Sequence, residues 1–207
     1  MRQRGADSIV RLVVVCLTIA SVAGLVAAGE PSFDCSAVEP GSIEALVCGD
    51  DGLSALDRML AEVYGEASKK AVNEHPPMLK AEQRGWIKGR DECWKSEDVA
   101  TCVEDAYRLR IAELQARYRL VEPHGPVFYQ CGGQPSNEVV ATFFDTDPPT
   151  AIVERGDSSS LMFLQPSASG AKYQGRNESF WEHHGEATVT WGYDGPELRC
   201  VAVDGDR

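Results

Sequence analysis

The 207-residue sequence contains no Cys-x-x-Cys pair, no Gly-x-Ser-x-Gly elbow and no His-Glu-x-x-His motif. The first absence argues against a paired-cysteine zinc cluster. The second argues against the nucleophile turn of an α/β-hydrolase, and the third against a zincin-type metalloprotease. Basic residues are also scarce, with 20 Lys and Arg against 32 Asp and Glu, for a net charge of -12. A field of that sign repels nucleic acid and anionic membrane and favours a cationic partner. Histidine is rarer still: of only four, two are adjacent, at His183 and His184.

What is present begins with Arg2, Arg4 and Arg11, followed by an apolar run that ends at Val26-Ala27-Ala28. This is the layout of a secretory signal peptide over residues 1–28, with cleavage expected after Ala28. A retained membrane anchor is the other reading of the same run. Cys16 is a poor lipid attachment site, because bulky Val15 precedes it and the run encloses it. The remaining 179 residues lose Arg2, Arg4, Arg11 and Asp7, so 17 basic face 31 acidic side chains and the net charge becomes -14. Residues 29–126 and 127–207 each carry -7, so the acidity is spread along the chain.

Six cysteines remain after export: Cys35, Cys48, Cys93, Cys102, Cys131 and Cys200. An even number in an oxidising compartment reads as disulfides, although six cysteines allow fifteen connectivities. Pairing of nearest neighbours would give 35–48, 93–102 and 131–200.

Two folding patterns share the chain. From Leu53 the apolar positions Leu56, Leu60, Val63, Ala67 and Ala71 recur at helical spacing. Ser54 and Asp57 form a variant start box for this helix, and His75-Pro76-Pro77 ends it. A second helix is expected over residues 78–94 and a third from near Ser96, where Glu97 and Asp98 suit a helix N-terminus. The segment 121–126, VEPHGP, breaks the pattern and is the expected linker. Beyond it come the short runs VFYQC, VVATFF, TAIVE, LMFL, ATVTW and LRCVAV, separated by turn-forming residues. They point to antiparallel all-β structure. A Cys131–Cys200 bridge would join the first and last runs and favour closure into a barrel, with Tyr173, Phe180, Trp181 and Trp191 filling it. The expected fold is therefore α+β with two domains: a small disulfide-stapled helical domain and a small antiparallel β-barrel. Cores this thin are where staples are expected.

The stretch SASGAKYQGRNESFWEHHGEATV, residues 167–189, concentrates the chemistry. Ser169 and His183 have the residue types of a nucleophile and its base, yet spacing supplies neither a third group nor an oxyanion hole. Adjacent His183 and His184 would point to opposite faces of a strand, which is poor metal geometry.

Residues 127–205 resemble the membrane-bound lysozyme inhibitor of c-type lysozyme (MliC) family. The matching features are Tyr129-Gln130-Cys131, Ser167-Ala168-Ser169-Gly170-Ala171-Lys172-Tyr173, Phe180-Trp181, Glu186-Ala187-Thr188-Val189 and Cys200. The resemblance implies an eight-stranded antiparallel barrel that needs no cofactor. It implies inhibition of c-type lysozyme by loops inserted into the sugar-binding cleft. Lysozyme works with one protonated and one ionised carboxyl group, so a hydroxyl and a cation are suitable plugs. Ser169 matches the family's serine. Fourteen residues on, His183 stands where the family usually has lysine, and His183-His184-Gly185-Glu186 replaces its usual Lys-Gly-Asp-Glu. The implied lysozyme-binding set is Ser169, Gly170, Lys172, Tyr173, His183 and His184, with Lys172 available as a second cation. An ordinary imidazole has a pKa of roughly 6.5, so inhibition is expected to strengthen as pH falls.

Residues 33–120 resemble the lysozyme inhibitor LprI-like N-terminal domain. The likeness rests on Phe33-Asp34-Cys35, Ala45-Leu46-Val47-Cys48, Leu56-Asp57, Tyr64 and Glu82-Gln83-Arg84-Gly85-Trp86. It continues through Arg90-Asp91, Cys93, Cys102, Tyr107 and Arg110-Ile111-Ala112-Glu113-Leu114. This resemblance supports both short disulfides and a periplasmic or secreted location. Glu82, Arg84, Trp86 and Arg90 have packing and ion pairing as their alternative role. The rival to an inhibitor is a non-inhibitory envelope protein, structural or peptidoglycan-binding.

Overall fold

The computed structural model describes residues 29–203 except Pro76 and Pro135. The signal-peptide segment lies outside the described residues. A helical domain comes first: α1 (Ile43–Gly49), α2 (Asp51–Lys70), α3 (Met78–Asp91) and α4 (Val99–Arg117). The eight strands that follow are β1 (Pro123–Cys131), β2 (Glu138–Phe144), β3 (Thr150–Arg155), β4 (Ser158–Gln165), β5 (Ala171–Gln174), β6 (Ser179–His183), β7 (Glu186–Thr190) and β8 (Glu197–Val203). They close in sequence order into an antiparallel barrel.

Side-chain caps set the starts of α1, α2 and α4, and that of α2 differs from expectation. The α2 helix begins at Asp51 because the Asp50 carboxylate accepts from the Leu53 amide at 2.9 Å. Ser54 and Asp57 are therefore inside the helix: Ser54 donates to the Val47 carbonyl at 2.7 Å, and both are buried. Asp98, one of the two acidic residues expected at the start of the third helix, caps α4, accepting from the Thr101 amide at 3.0 Å. The segment closed by Cys35–Cys48, where the sequence pattern places no helix, contains α1, capped by Ser42. After α3 the chain tightens into a 3-10 turn over Glu92–Lys95.

Three disulfides join Cys35 to Cys48, Cys93 to Cys102 and Cys131 to Cys200. In the barrel, Cys131 pairs directly with Cys200 across β1 and β8, so the third bridge sits on the closing seam.

The helical core is threaded by a charged network. The Tyr107 hydroxyl donates to Asp57 at 2.9 Å and accepts from Arg90 at 2.9 Å. Arg90 also reaches Glu44 and Asp91, and Asp57 accepts from the Ser32 amide and hydroxyl. Burial opposes the Arg90 charge, but the Tyr107 and Asp91 neighbours outweigh it and raise the arginine pKa. Trp86 packs edge-on to Tyr107 and donates to the Ala106 carbonyl. Most of the residues that carry the N-terminal resemblance therefore build this core, though Arg84 is exposed.

The barrel core is apolar, led by Tyr129, Val139, Val153, Met162, Phe180 and Val189. Alternation along each strand sends one row inward and the next to solvent. Trp181, expected inside, falls on the outward row and is 42% exposed. Six strands were legible as apolar runs. β5 and β6 are short, and their only strongly apolar side chains are Tyr173, Phe180 and Trp181. Residues 123–126, expected in the linker, begin β1, with Pro123 paired to Phe144 and His124 to Phe143. The register shifts between His124 and Val127, a bulge that accommodates the two prolines at a strand start.

The domains meet where α4 packs on β3. Ala112 and Ala116 are fully buried without belonging to the helical core cluster, as small residues at a helix–strand contact would be. Arg108 crosses the junction to Asp147 at 2.7 Å, and Lys70 donates to the Arg119 carbonyl.

Candidate functional site

In an up-and-down barrel alternate connections leave from the same end. The β2–β3, β4–β5 and β6–β7 connections share one rim with the start of β1. The stretch singled out in the sequence forms two of these connections.

The β6–β7 turn is the tighter one. His183 pairs with Glu186, leaving two loop residues, His184 with φ 54° and Gly185 with φ 80°. Positive φ at both central positions matches the right-handed twist of a hairpin. The Glu182 carboxylate fixes the turn by accepting from the Gly185 amide at 3.0 Å. The Gly185 carbonyl in turn accepts from the Ala202 amide at 2.7 Å. Because His184 is in the turn, the two imidazoles do not point to opposite faces. Their centroids lie 4.1 Å apart at 73°.

The β4–β5 loop lies over this turn through Gly170. Its φ is 67°, and a Cβ there would meet the Glu182 carbonyl at 2.2 Å and the His183 side chain at 3.1 Å. Only glycine allows that approach. Two hydrogen bonds hold the loop. The Trp181 indole donates to the Ser169 carbonyl at 2.9 Å, and the Ser167 hydroxyl donates to the Gly170 carbonyl at 2.9 Å. Ser169 and His183, fourteen residues apart in sequence, are both exposed and line one open groove of about 540 Å³ with Trp181 and Arg199.

The other expected site residues divide. Lys172 is half-buried on β5, on the outer row beside Trp181. Tyr173 is 8% exposed and packs on Phe143, so it supports the loop from inside the barrel and offers a partner little surface. Burial pushes its pKa up, reinforced by Asp145 and Glu182. Burial and then Glu182 likewise push Tyr129 up to about 12. Arg199 and Trp181 were missed as site residues. Strand register places them on one outer row, with Trp181 opposite Thr188 and Thr188 opposite Arg199. That pairing cannot be read from apolar runs. Among the described residues no group of three His, Cys, Asp or Glu side chains could hold a metal ion. No described helix is long and apolar enough to cross a membrane.

A helical domain and a closed barrel with a glycine-seated serine loop define a two-domain protein of a kind seen in known families. A family model described as membrane-bound lysozyme-inhibitor of c-type lysozyme matches residues 129–198, and one described as lysozyme inhibitor LprI matches residues 35–114. The lipoprotein LprI of Mycobacterium tuberculosis is 31% identical over 160 residues, covering 76% of this chain and 78% of that protein. The LprI of Mycobacterium bovis matches to the same extent. The chain belongs to the LprI family. A crystal structure of Pseudomonas aeruginosa MliC in complex with hen egg white lysozyme aligns with a TM-score of 0.32 and 29% identity, over 37% of this chain and 78% of that one.

Proposed function

We propose that this protein is a non-enzymatic inhibitor of c-type lysozyme in the bacterial envelope, periplasmic or secreted. The barrel rim plugs the enzyme's cleft, with Ser169 and His183 meeting its catalytic carboxyl groups. The carrying observation is Gly170, whose missing side chain lets the serine loop rest on Glu182 and His183. It makes one site from two separated segments, and the loop is already tied down by Trp181 before any partner arrives. Preorganisation of this kind lowers the entropic cost of association. The remaining assignments follow the same reading: residues 33–120 as the LprI-like domain, the linker shortened to 121–122, and the inhibitory barrel beginning with β1 at Pro123.

Histidine in place of lysine makes the plug proton-linked. Against a carboxylate the charged form of the His183 imidazole is favoured, so the contact takes up a proton. Affinity from that contact is therefore expected to fall as pH rises. The charged or titratable neighbours are Glu182 and His184 beside it in the chain, Glu186 paired with it on β7, and Glu197 and Arg199 from β8 in the same groove.

The test is lysozyme-driven clearing of a cell-wall suspension, titrated with residues 29–207 at pH 6 and pH 7.5. The parent is expected to block clearing, more strongly at pH 6, with Ser169→Ala and His183→Ala each losing most of the effect. A folded parent that leaves clearing untouched at both pH values would contradict the proposal. Exposed Trp181, in a groove with Glu186, Glu197 and Arg199, favours the second reading, a peptidoglycan-binding protein. Binding to wall fragments without lysozyme would then be the positive result.

A further inference from the structure

The helical domain packs along the barrel wall at β3 and reaches, at Arg108, the barrel end that carries the candidate rim. The β2–β3 connection leaves from that end, and its Asp147 pairs with Arg108 of α4. Two shallow hollows, of about 390 and 320 Å³, run along α2 and α4 and share Leu56, Met59 and Arg108. The second has Asp145, Thr146 and Asp147 of the β2–β3 connection in its wall, so the hollows lead from the helices onto the rim.

Two properties of this groove are unusual. Met59 lies at its centre with 48% exposure, and an unbranched thioether is adaptable contact surface. Around it Asp50, Glu104, Asp145 and Asp147 face the Arg108 cation, which is itself paired with two of them, while Asp145 pairs with the His124 ring. The edge therefore carries a formal excess of three negative charges. The same rim carries a further carboxylate, Glu182, which holds the His183 turn.

We infer that the Met59 groove is a second contact surface for the enzyme held at the rim, engaging a basic region beside that enzyme's cleft. This rests on the proposed cleft-plug function. It gives the helical domain a binding role: it widens the footprint from one rim to a rim and a wall, the junction at Arg108 and Asp147 setting the angle between them. The acidic edge supplies the complementarity to a basic partner, which raises association rate and fixes orientation.

The test compares inhibition constants against hen egg white lysozyme for the parent, Ser169→Ala, Met59→Arg and Val72→Arg. Val72 is 69% exposed and follows α2 at the end away from Asp50, so Val72→Arg controls for one added positive charge. Met59→Arg is expected to weaken inhibition at least about tenfold, and Val72→Arg less than about twofold. Equal effects of the two arginines, with Ser169→Ala still impaired, would overturn the inference and leave the cleft plug standing. A parent that does not inhibit, or a Ser169→Ala protein as potent as the parent, would remove the plug and this inference together. Should Met59→Arg lose its helical circular dichroism, exposed Asp145→Lys decides. It is expected to weaken inhibition several-fold, and inhibition equal to the parent's would overturn the inference.

Discussion

The two domains solve the problem of a thin core in opposite ways. The helical domain buries charge: Asp57, Arg90 and Arg110 are nearly inaccessible there, and Tyr107 links the first two. The barrel buries no charged side chain among its described residues, only Thr142, Thr146 and Thr150. A helix satisfies its own backbone and can be anchored anywhere by side chains. A closed sheet consumes its backbone groups in the ladder and leaves room inside only for apolar packing. The barrel's polar chemistry is therefore confined to its rim, where a partner can reach it. The charged residues of the helical domain serve mainly as internal fastening.

This contrast can be broken at its strongest points first. Replacing Cys131 and Cys200 by serine opens a span of 69 residues at the closing seam. Loop entropy gives a loss of about 4 kcal/mol, to be read from denaturant unfolding. Opening the short Cys93–Cys102 loop, separation 9, should cost less. Next is Tyr107→Phe, which leaves buried Asp57 and Arg90 each short of a partner and should cost about 2 kcal/mol. Its inhibition at a temperature where it is folded should equal the parent's. A potency loss with intact stability would mean that the network does more than fasten.

The third effect is smaller in stability and larger in function. Trp181→Phe removes the indole bond to the Ser169 carbonyl, worth about 1 kcal/mol, and should weaken inhibition several-fold by loosening the serine loop. Unchanged potency would show that Gly170 packing alone holds the loop. The smallest effect is acidic. The Glu74 carboxylate accepts from the Leu79 amide and the Tyr118 hydroxyl, the former dominating, and these hold its pKa below the usual carboxylate value. Its contribution is present above the unfolded pKa and is lost as pH falls through the lowered one. Glu74→Gln should flatten the acid limb of the stability profile; an unaltered limb would assign that limb to other carboxylates.

Much of the fold was legible in local pattern. The α2, α3 and α4 helices follow three-and-four spacing, and the longer strands follow apolar runs between turn residues. α1 and the α2 cap were missed because a seven-residue helix has too few turns for a period, and because Asp50 is an equally good cap upstream of Ser54. β5 and β6 were read through family likeness, their own apolar content being too low. Within the site, the Ser169 and His183 segments were legible as residues but not as neighbours. What joins them is the closeness of Gly170 to the Glu182 carbonyl, and what adds Trp181 and Arg199 is strand register. Both depend on which strands pair, which no local spacing encodes.

The measurement that tests the central claim most directly is steady-state lysozyme kinetics on a soluble chitooligosaccharide at several fixed concentrations of residues 29–207. Occupation of the cleft predicts purely competitive inhibition, with apparent KM rising, kcat unchanged, and the effect lost in Ser169→Ala. Inhibition that lowers kcat at unchanged KM would place the protein elsewhere on the enzyme and contradict the account.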